Sequence, residues 1–252
     1  MNGDTRKIAV KKSNPVVNYF NNNKGMIIGL LVVCVVISIL QPNFLTSRNL
    51  LNIMRSISIT GILGFGMTLC IIINGIDLAQ GSVIGFTSCL CAWLITNAGL
   101  PFVAAALVAM AGGSLFGIFN GALLSTTALP PFVVTLATQL IARGGCYVIT
   151  RGNMINVDPA FGEFGNGYLF GFIPLPVVYL ILIFIVMFLL LGHTKFGRCV
   201  YAIGGNKEAA RFTGINIRNV TWMVYAISGL LAAFCGIISC SRITTGQPTT
   251  GN

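Results

Sequence analysis

Residues 196–217 read FGRCVYAIGGNKEAARFTGINI, a polar segment set between two long apolar runs. The segment reads as a short, capped helix. Gly204 and Gly205 break what precedes, and Asn206 is a favoured N-cap. Glu208 then falls in the first turn, where the helix dipole favours negative charge. Gly214 stands where a C-terminal stop belongs, followed by the β-branched Ile215 and Ile217. Ala209 and Ala210 supply a small-residue face that another protein surface can approach closely. Two readings stand: a helix that passes a push from a soluble partner into the bilayer, or an interfacial loop helix with no partner.

Composition sets the solvent. Of 252 residues, 55% are hydrophobic and only 8% charged, against about a quarter charged in a soluble domain. The chain belongs in a bilayer. A net charge of +10 raises nucleic acid as a partner, but the basic residues fall in short connections between apolar runs, so they read as topology signals. The eight cysteines follow no metal or disulfide spacing and read as small apolar residues kept reduced. The basic start runs into an apolar stretch without an A-x-A site, so the first run is expected to stay as an anchor.

Residues 1–24 form a basic tail carrying Arg6, Lys7, Lys11, Lys12 and Lys24. Seven apolar runs follow: 25–40, 56–74, 81–97, 101–124, 131–149, 172–191 and 220–241. The second, at ~1.5 Å per residue, covers roughly 28 Å, enough for the hydrocarbon core. Between runs one and two, FLTSRNLLNIMR (44–55) reads as a separate interfacial helix with Leu50, Leu51 and Met54 on one face. With the N-terminus inside, ten of the fifteen basic residues fall on the inner side and five (Arg48, Arg55, Arg143, Arg151, Arg242) on the outer. That bias favours an N-inside orientation and puts 196–217 in the cytoplasm.

Asp77 is the one acid close to membrane depth, in NGIDLAQGS (74–82). A charge at the bilayer centre costs ~2.5–3.5 kcal/mol, so it needs polar surroundings. Gly75 and Gly81 suggest a broken helix there. Either Asn74, Asp77, Gln80 and Ser82 shape the path of a polar solute, or Asp77 merely caps the third run. Thr138 and Gln139 in the fifth run either meet solute hydroxyls or bond across helices; Asn120, beside the glycine stripe of the fourth run, is expected to hydrogen-bond across helices. Gly113, Gly117 and Gly121, like Gly81 and Gly85, have the four-residue spacing of close helix packing. His193 reads as an interfacial residue at a helix end, and Trp93 and Trp222 as interface anchors. There is no G-x-x-x-x-G-K-[ST], no Ser/His/Asp set and no H-E-x-x-H, hence no candidate catalytic residue, metal site or cofactor.

Glu208-Ala209-Ala210, three residues and Gly214 resemble the EAA-xxx-G loop of ABC-importer permeases. The wider string 196–217, with NGIDLAQGSVIGF (74–86) and LPPFVVTLATQLIARGGCYVITRGNMI (129–155), is similar to the ribose-type (monosaccharide) permease family, from about Phe44 to Pro248. The resemblance implies an all-α, polytopic transmembrane helical bundle in the cell (inner) membrane, about seven spans here with a short cytoplasmic coupling helix. Residues 25–252 would be one permease domain with a coupling loop over 194–219. It implies an ATP-binding subunit docking on Glu208, Ala209, Ala210, Arg211 and Gly214, a second permease copy, and an extracytoplasmic binding protein delivering the sugar; ATP is bound by the partner. Family members continue past the stretch matching Gln247-Pro248-Thr249 with more spans and a second glycine-rich motif, so this chain is expected to be incomplete at its C-terminus. The rival is a secondary transporter for a small polar solute, marked by coupling-ion residues and two matching broken helices, of which only one break is seen. A membrane enzyme would need clustered His, Asp or Glu at membrane depth.

Overall fold

The computed structural model describes residues 23–251; the expected basic tail falls almost wholly outside the described residues. Residues up to Asn52 form one compact unit and those from Ile53 onward another. The first holds helix α1, Lys24–Leu40, with no buried side chain, and a loop in which Thr46 Oγ1 accepts from the Asn49 N–H at 3.4 Å.

Helix α2 spans Ser47–Ile72, α3 Gln80–Thr96, α4 Phe102–Thr126 and α5 Pro131–Thr150. A connection with a one-turn helix α6 (Glu163–Asn166) leads to α7, Leu175–His193. Helices α8 (Lys195–Gly205), α9 (Lys207–Phe212) and α10 (Ile217–Ile243) complete the set. The architecture is all-α. Five helices are long and apolar enough to cross a membrane (α2, α4, α5, α7 and α10), and α1 and α3 are apolar but have 17 residues each.

Two expectations are corrected. The separate interfacial helix over 44–55 does not form: Ser47–Ile72 is one continuous helix, because no Gly or Pro lies between Arg55 and the following run to end it. Nor do all basic residues sit in connections. Arg55, Arg143 and Arg242 lie inside α2, α5 and α10.

Helix α10 is the centre, with Val224, Tyr225, Ser228, Ala232, Ala233 and Cys235 all buried. The glycine stripe of α4 packs against it within the one chain. A Cβ on Gly117 would lie 2.7 Å from the Gly229 Cα, and one on Gly121 would lie 2.6 Å from the Trp222 carbonyl oxygen. Small residues let the two backbones approach where lipid supplies no hydrophobic drive between helices. The matching spacing on α3 serves another purpose, since Gly81 and Gly85 make room for the non-helical residues 250–251 rather than for a helix.

The connection after α5 is tied down at one end of the bundle. Strand β1 (Ile155–Asn156) pairs antiparallel with β4 (Thr245–Gly246), and β2 (Tyr168–Leu169) with β3 (Ile173–Pro174). Phe170 and Gly171 both have positive φ, at 54° and 81°, within the three-residue loop 170–172 that joins β2 to β3. Arg55 donates from Nη2 to the Asn166 carbonyl at 2.7 Å and lies 5.0 Å over the Tyr168 ring. Arg242 donates to Ser56 Oγ at 3.0 Å, and the Gly165 N–H donates to Ser241 Oγ at 2.8 Å.

Candidate functional site

At the other end of the bundle, three short polar sequences start three helices in the same way. Thr194 accepts from the Gly197 N–H, Asn206 from Ala209 and Asn216 from Asn219, at 3.1, 2.9 and 3.1 Å. Each cap oxygen satisfies an N–H three residues on, which the helix start leaves orphaned. Gly204 and Gly205 end α8, and Asn206 restarts the chain as α9 at an angle set by its extended φ of −157°.

Helix α9 stops by a Schellman motif. The Ile215 N–H donates to the Ala210 carbonyl at 3.2 Å and the Gly214 N–H to Arg211 at 3.1 Å, with Gly214 at φ 82°. Only glycine takes that backbone without strain. Lys207, Glu208, Ala209 and Arg211 are exposed. Ala210 is not available: it is buried against the cluster holding Val220 and Ile203, because one face of a short helix must pack. The small-residue face is therefore split, with Ala209 out and Ala210 in. Phe212, which sequence reasoning passed over, is 88% exposed at the end of this helix.

The break between α2 and α3 is held from several directions. Helix α2 also ends in a Schellman motif, with Asn74 at φ 60°; the Gly75 N–H donates to the Cys70 carbonyl at 2.8 Å and the Asn74 N–H to Ile71 at 2.9 Å. Asn74 Nδ2 reaches the Gly204 carbonyl at 3.2 Å, tying the break to α8. Gly75 is required, since a Cβ there would strike the Tyr225 hydroxyl.

Asp77 is 2% exposed. Its Oδ1 accepts from the Ala79 N–H at 3.1 Å and its Oδ2 from the Ser228 hydroxyl at 2.6 Å, while Gln80 Nε2 donates to Ser228 Oγ at 2.7 Å. Thr135 donates to the Ile76 carbonyl at 3.2 Å. Asp77 thus does local capping work and also fastens the break to α10. Loss of a buried partner costs about 1–3 kcal/mol. Ser228→Ala is therefore expected to lower the thermal stability of the purified protein, and Asp77→Ala to lower it further, because Ala79 N–H is also orphaned; equal melting of all three forms in detergent would disprove this.

The other sequence candidates divide. Ser82 is buried, and its Oγ has no hydrogen bond among the described residues. Thr138 donates to Asn120 Oδ1 at 2.5 Å, bonding α5 to α4 as one of its two readings had it. Gln139 is half-buried on the neighbouring face. Asp77 and Gln80 are thus gathered on Ser228 of α10, Asn74 is tied to α8, and Thr138 and Gln139 stand apart on α5. Ser228 and Tyr225 carried no signal in the sequence, since a lone hydroxyl in an apolar run marks nothing until its partner is known.

Two cavities adjoin. One of about 240 Å³ is lined by Asn74, Gly75, Thr127, Lys207, Thr221 and Tyr225. The other, about 410 Å³, is lined by Lys207, Glu208, Arg211 and Arg218 and shares Leu124, Thr127, Lys207 and Thr221 with the first. The break at Asn74–Gly75 and the exposed helix α9 therefore border adjoining cavities that share lining residues.

Comparison with known proteins places this geometry. Residues 49–252 match the family described as branched-chain amino acid transport system / permease component. The chain is 40% identical over 230 residues to the ribose import permease protein RbsC of Bacillus subtilis (strain 168), covering 90% of this chain and 71% of that protein. It is 37% identical to RbsC of Escherichia coli (strain K12), with 89% and 71% covered. Identity to the D-allose transport system permease protein AlsC of Escherichia coli (strain K12) is 31%, with 92% and 72% covered. No solved structure matches the chain. With a match over most of its length and relatives of this identity and coverage, the chain belongs to the transport-system permease family that includes the ribose import permeases.

Proposed function

We propose that the chain is the membrane-spanning permease subunit of an ABC importer for a monosaccharide of the ribose type. The observation that carries this is the match, over about nine-tenths of the chain, to permeases named for ribose and allose. All seven apolar helices α1–α5, α7 and α10 cross the membrane, the N-terminus is inside, and residues 25–252 act as one permease domain of a multi-pass inner-membrane protein. Two copies pair to enclose the pathway. An extracytoplasmic binding protein delivers the sugar.

A cytoplasmic ATPase docks on α9 through Glu208, Ala209, Arg211, Phe212 and the Gly214 turn; ATP binds to that partner. Two features support this: the helix is short, rigidly capped at both ends and exposed on one face, and its buried residue Ala210 joins it to the core. The permease needs only two packings of similar free energy, whose balance the docked ATPase shifts. Asn74, Asp77, Gln80 and Ser82 shape the inner end of the path, with Thr138 and Gln139 further along it.

The test is reconstitution of this chain with its ATPase and binding protein in proteoliposomes. The expected result is ATP-dependent accumulation of radiolabelled D-ribose, and retention of the ATPase when this chain is purified in detergent. A secondary transporter would instead accumulate solute under an ion gradient without ATP. Uptake of that kind would overturn the importer reading.

A further inference from the structure

Three cations line one cavity at the end of the bundle that holds α9. The cavity of about 410 Å³, between the last turn of α4, helix α9 and the start of α10, is lined by Lys207, Arg211 and Arg218 against a single acid, Glu208. Lys207 and Arg211 stand four residues apart on α9 and so share a face. None of these four side chains makes an ion pair among the described residues. Repulsion among three like charges around one space is relieved by an anion that joins them. The first residues of the 27-residue helix α10, Ile217 and Arg218, line the same cavity. Backbone N–H groups at that position have no partner within the helix and add to the attraction for negative charge.

The polar walls continue into apolar ones. Ser125, Asn216 and Arg218 also line a neighbouring cavity of about 380 Å³, which adds Ala122, Thr126 and Trp222. Trp222 follows Arg218 by one turn of α10, and indole suits the border between headgroups and acyl chains. On α4, Leu115, Phe119, Ala122 and Thr126 recur at spacings of four, three and four, which puts them on one stripe. Ala122 and Thr126 line the cavity that Arg218 shares, whereas Leu115 and Phe119 line an apolar cavity of about 420 Å³ with Phe86, Phe116 and Ile141. At ~1.5 Å per residue the stripe covers roughly 16 Å.

We infer that Lys207, Arg211 and Arg218 hold the phosphodiester of an anionic phospholipid, with an acyl chain laid along Leu115 and Phe119 of α4. Basic pockets between spans are where membrane proteins hold anionic headgroups. A soluble phosphate ester offers the cations the same charge but brings no chain for the apolar wall. A lipid so placed joins α9 to the ends of α4 and α10.

Trp222 reports on the site directly. Trp93→Phe leaves it the sole tryptophan of the chain. Trp222→Phe leaves instead Trp93, near the end of α3 where Thr96 meets Asn156, as the reference. The purified full chain is placed in phosphatidylcholine bilayers with rising fractions of phosphatidylglycerol brominated on its acyl chains, which quenches indole on contact. Each cation beside an anionic lipid contributes about fivefold in affinity. Quenching at Trp222 is therefore expected to show phosphatidylglycerol preferred at least about tenfold, and at Trp93 less than about twofold. Arg218→Gln and Lys207→Gln should each lower the preference at Trp222 about fivefold, and Arg218→Lys should keep it within about twofold. Both residues are exposed, so the variants are expected to fold.

An equal preference at Trp222 and Trp93, or one at Trp222 that survives both Gln substitutions, overturns the site. If inorganic phosphate abolishes the preference where chloride at equal ionic strength does not, the occupant is a soluble phosphate and the lipid is overturned. Loss of the preference on adding the ATPase shows an acidic protein surface in the cavity, and overturns the lipid as its occupant in the assembled importer. The quenching needs neither ATP nor sugar. Proteoliposomes that accumulate no sugar would thus refute the importer reading and leave the lipid result standing.

Discussion

Gly117→Leu is expected to remove the folded protein almost completely. The obstacle is backbone: the new Cβ would lie 2.7 Å from the Gly229 Cα and 2.9 Å from its nitrogen, and would strike the Tyr225 carbonyl. Overpacking that side chains can absorb costs about 1–3 kcal/mol. No rotamer change moves a backbone, so α4 and α10 must separate. The same displacement strains Ser228, next to Gly229, and with it the bonds to Asp77 and Gln80. Gly64→Leu is the matched control, since no atom of the described residues lies within 4 Å of a Cβ there. Size-exclusion profiles of the detergent-solubilised proteins after heating read the effect. The close crossing is wrong if Gly117→Leu melts with wild type.

Gly214→Pro and Glu208→Arg are expected to reduce sugar uptake to background while leaving the subunit in the membrane. Proline fixes φ near −65° and lacks an N–H, whereas Gly214 sits at φ 82° and donates to Arg211. The Schellman motif cannot close, so α9 points elsewhere. A Cβ at Gly214 meets nothing within 4 Å among the described residues, so the fold has no steric reason to collapse. Glu208→Arg changes an exposed residue, which usually shifts stability by less than about 0.5 kcal/mol. It does reverse the charge at a helix start and adds a cation beside Lys207 and Arg211. Phe212→Ala, removing an 88% exposed ring, should weaken ATPase retention as loss of an aromatic anchor does, by about 2 kcal/mol or more. Uptake in the first two variants, normalised to membrane-inserted protein, together with co-purification of the ATPase in all three, is the measurement. Unimpaired uptake in Gly214→Pro and Glu208→Arg would detach coupling from α9.

Local physics was legible because it depends on near neighbours in the chain. Apolar runs placed the helices within a few residues, with Pro131 opening α5 and the Asn206 and Gly214 signals bounding α9. The glycine stripe on α4 could be read as packing, though not its partner, because spacing shows which face is thin and not what approaches it. The separate helix over 44–55 failed for a related reason: a change from mixed to apolar character looks like a boundary, yet a helix ends only where a cap, Gly or Pro ends it.

What the sequence by itself determined is a membrane chain of helices, with one stiff polar helix hung between two apolar runs and one acid in a glycine-flanked break. Tertiary structure alone decided which of those polar groups meet. Asp77 binds Ser228 across 151 positions, and Arg143 binds Pro248 and Thr250 across more than 100. It also turned Ala210 inward, and made Gly81 and Gly85 the bed of a non-helical chain rather than of a helix. The physical reason is distance along the chain. Helix starts and stops are settled by hydrogen bonds within a few residues, whereas the partner of a buried carboxylate or guanidinium is set by how the helices pack, which no local pattern encodes.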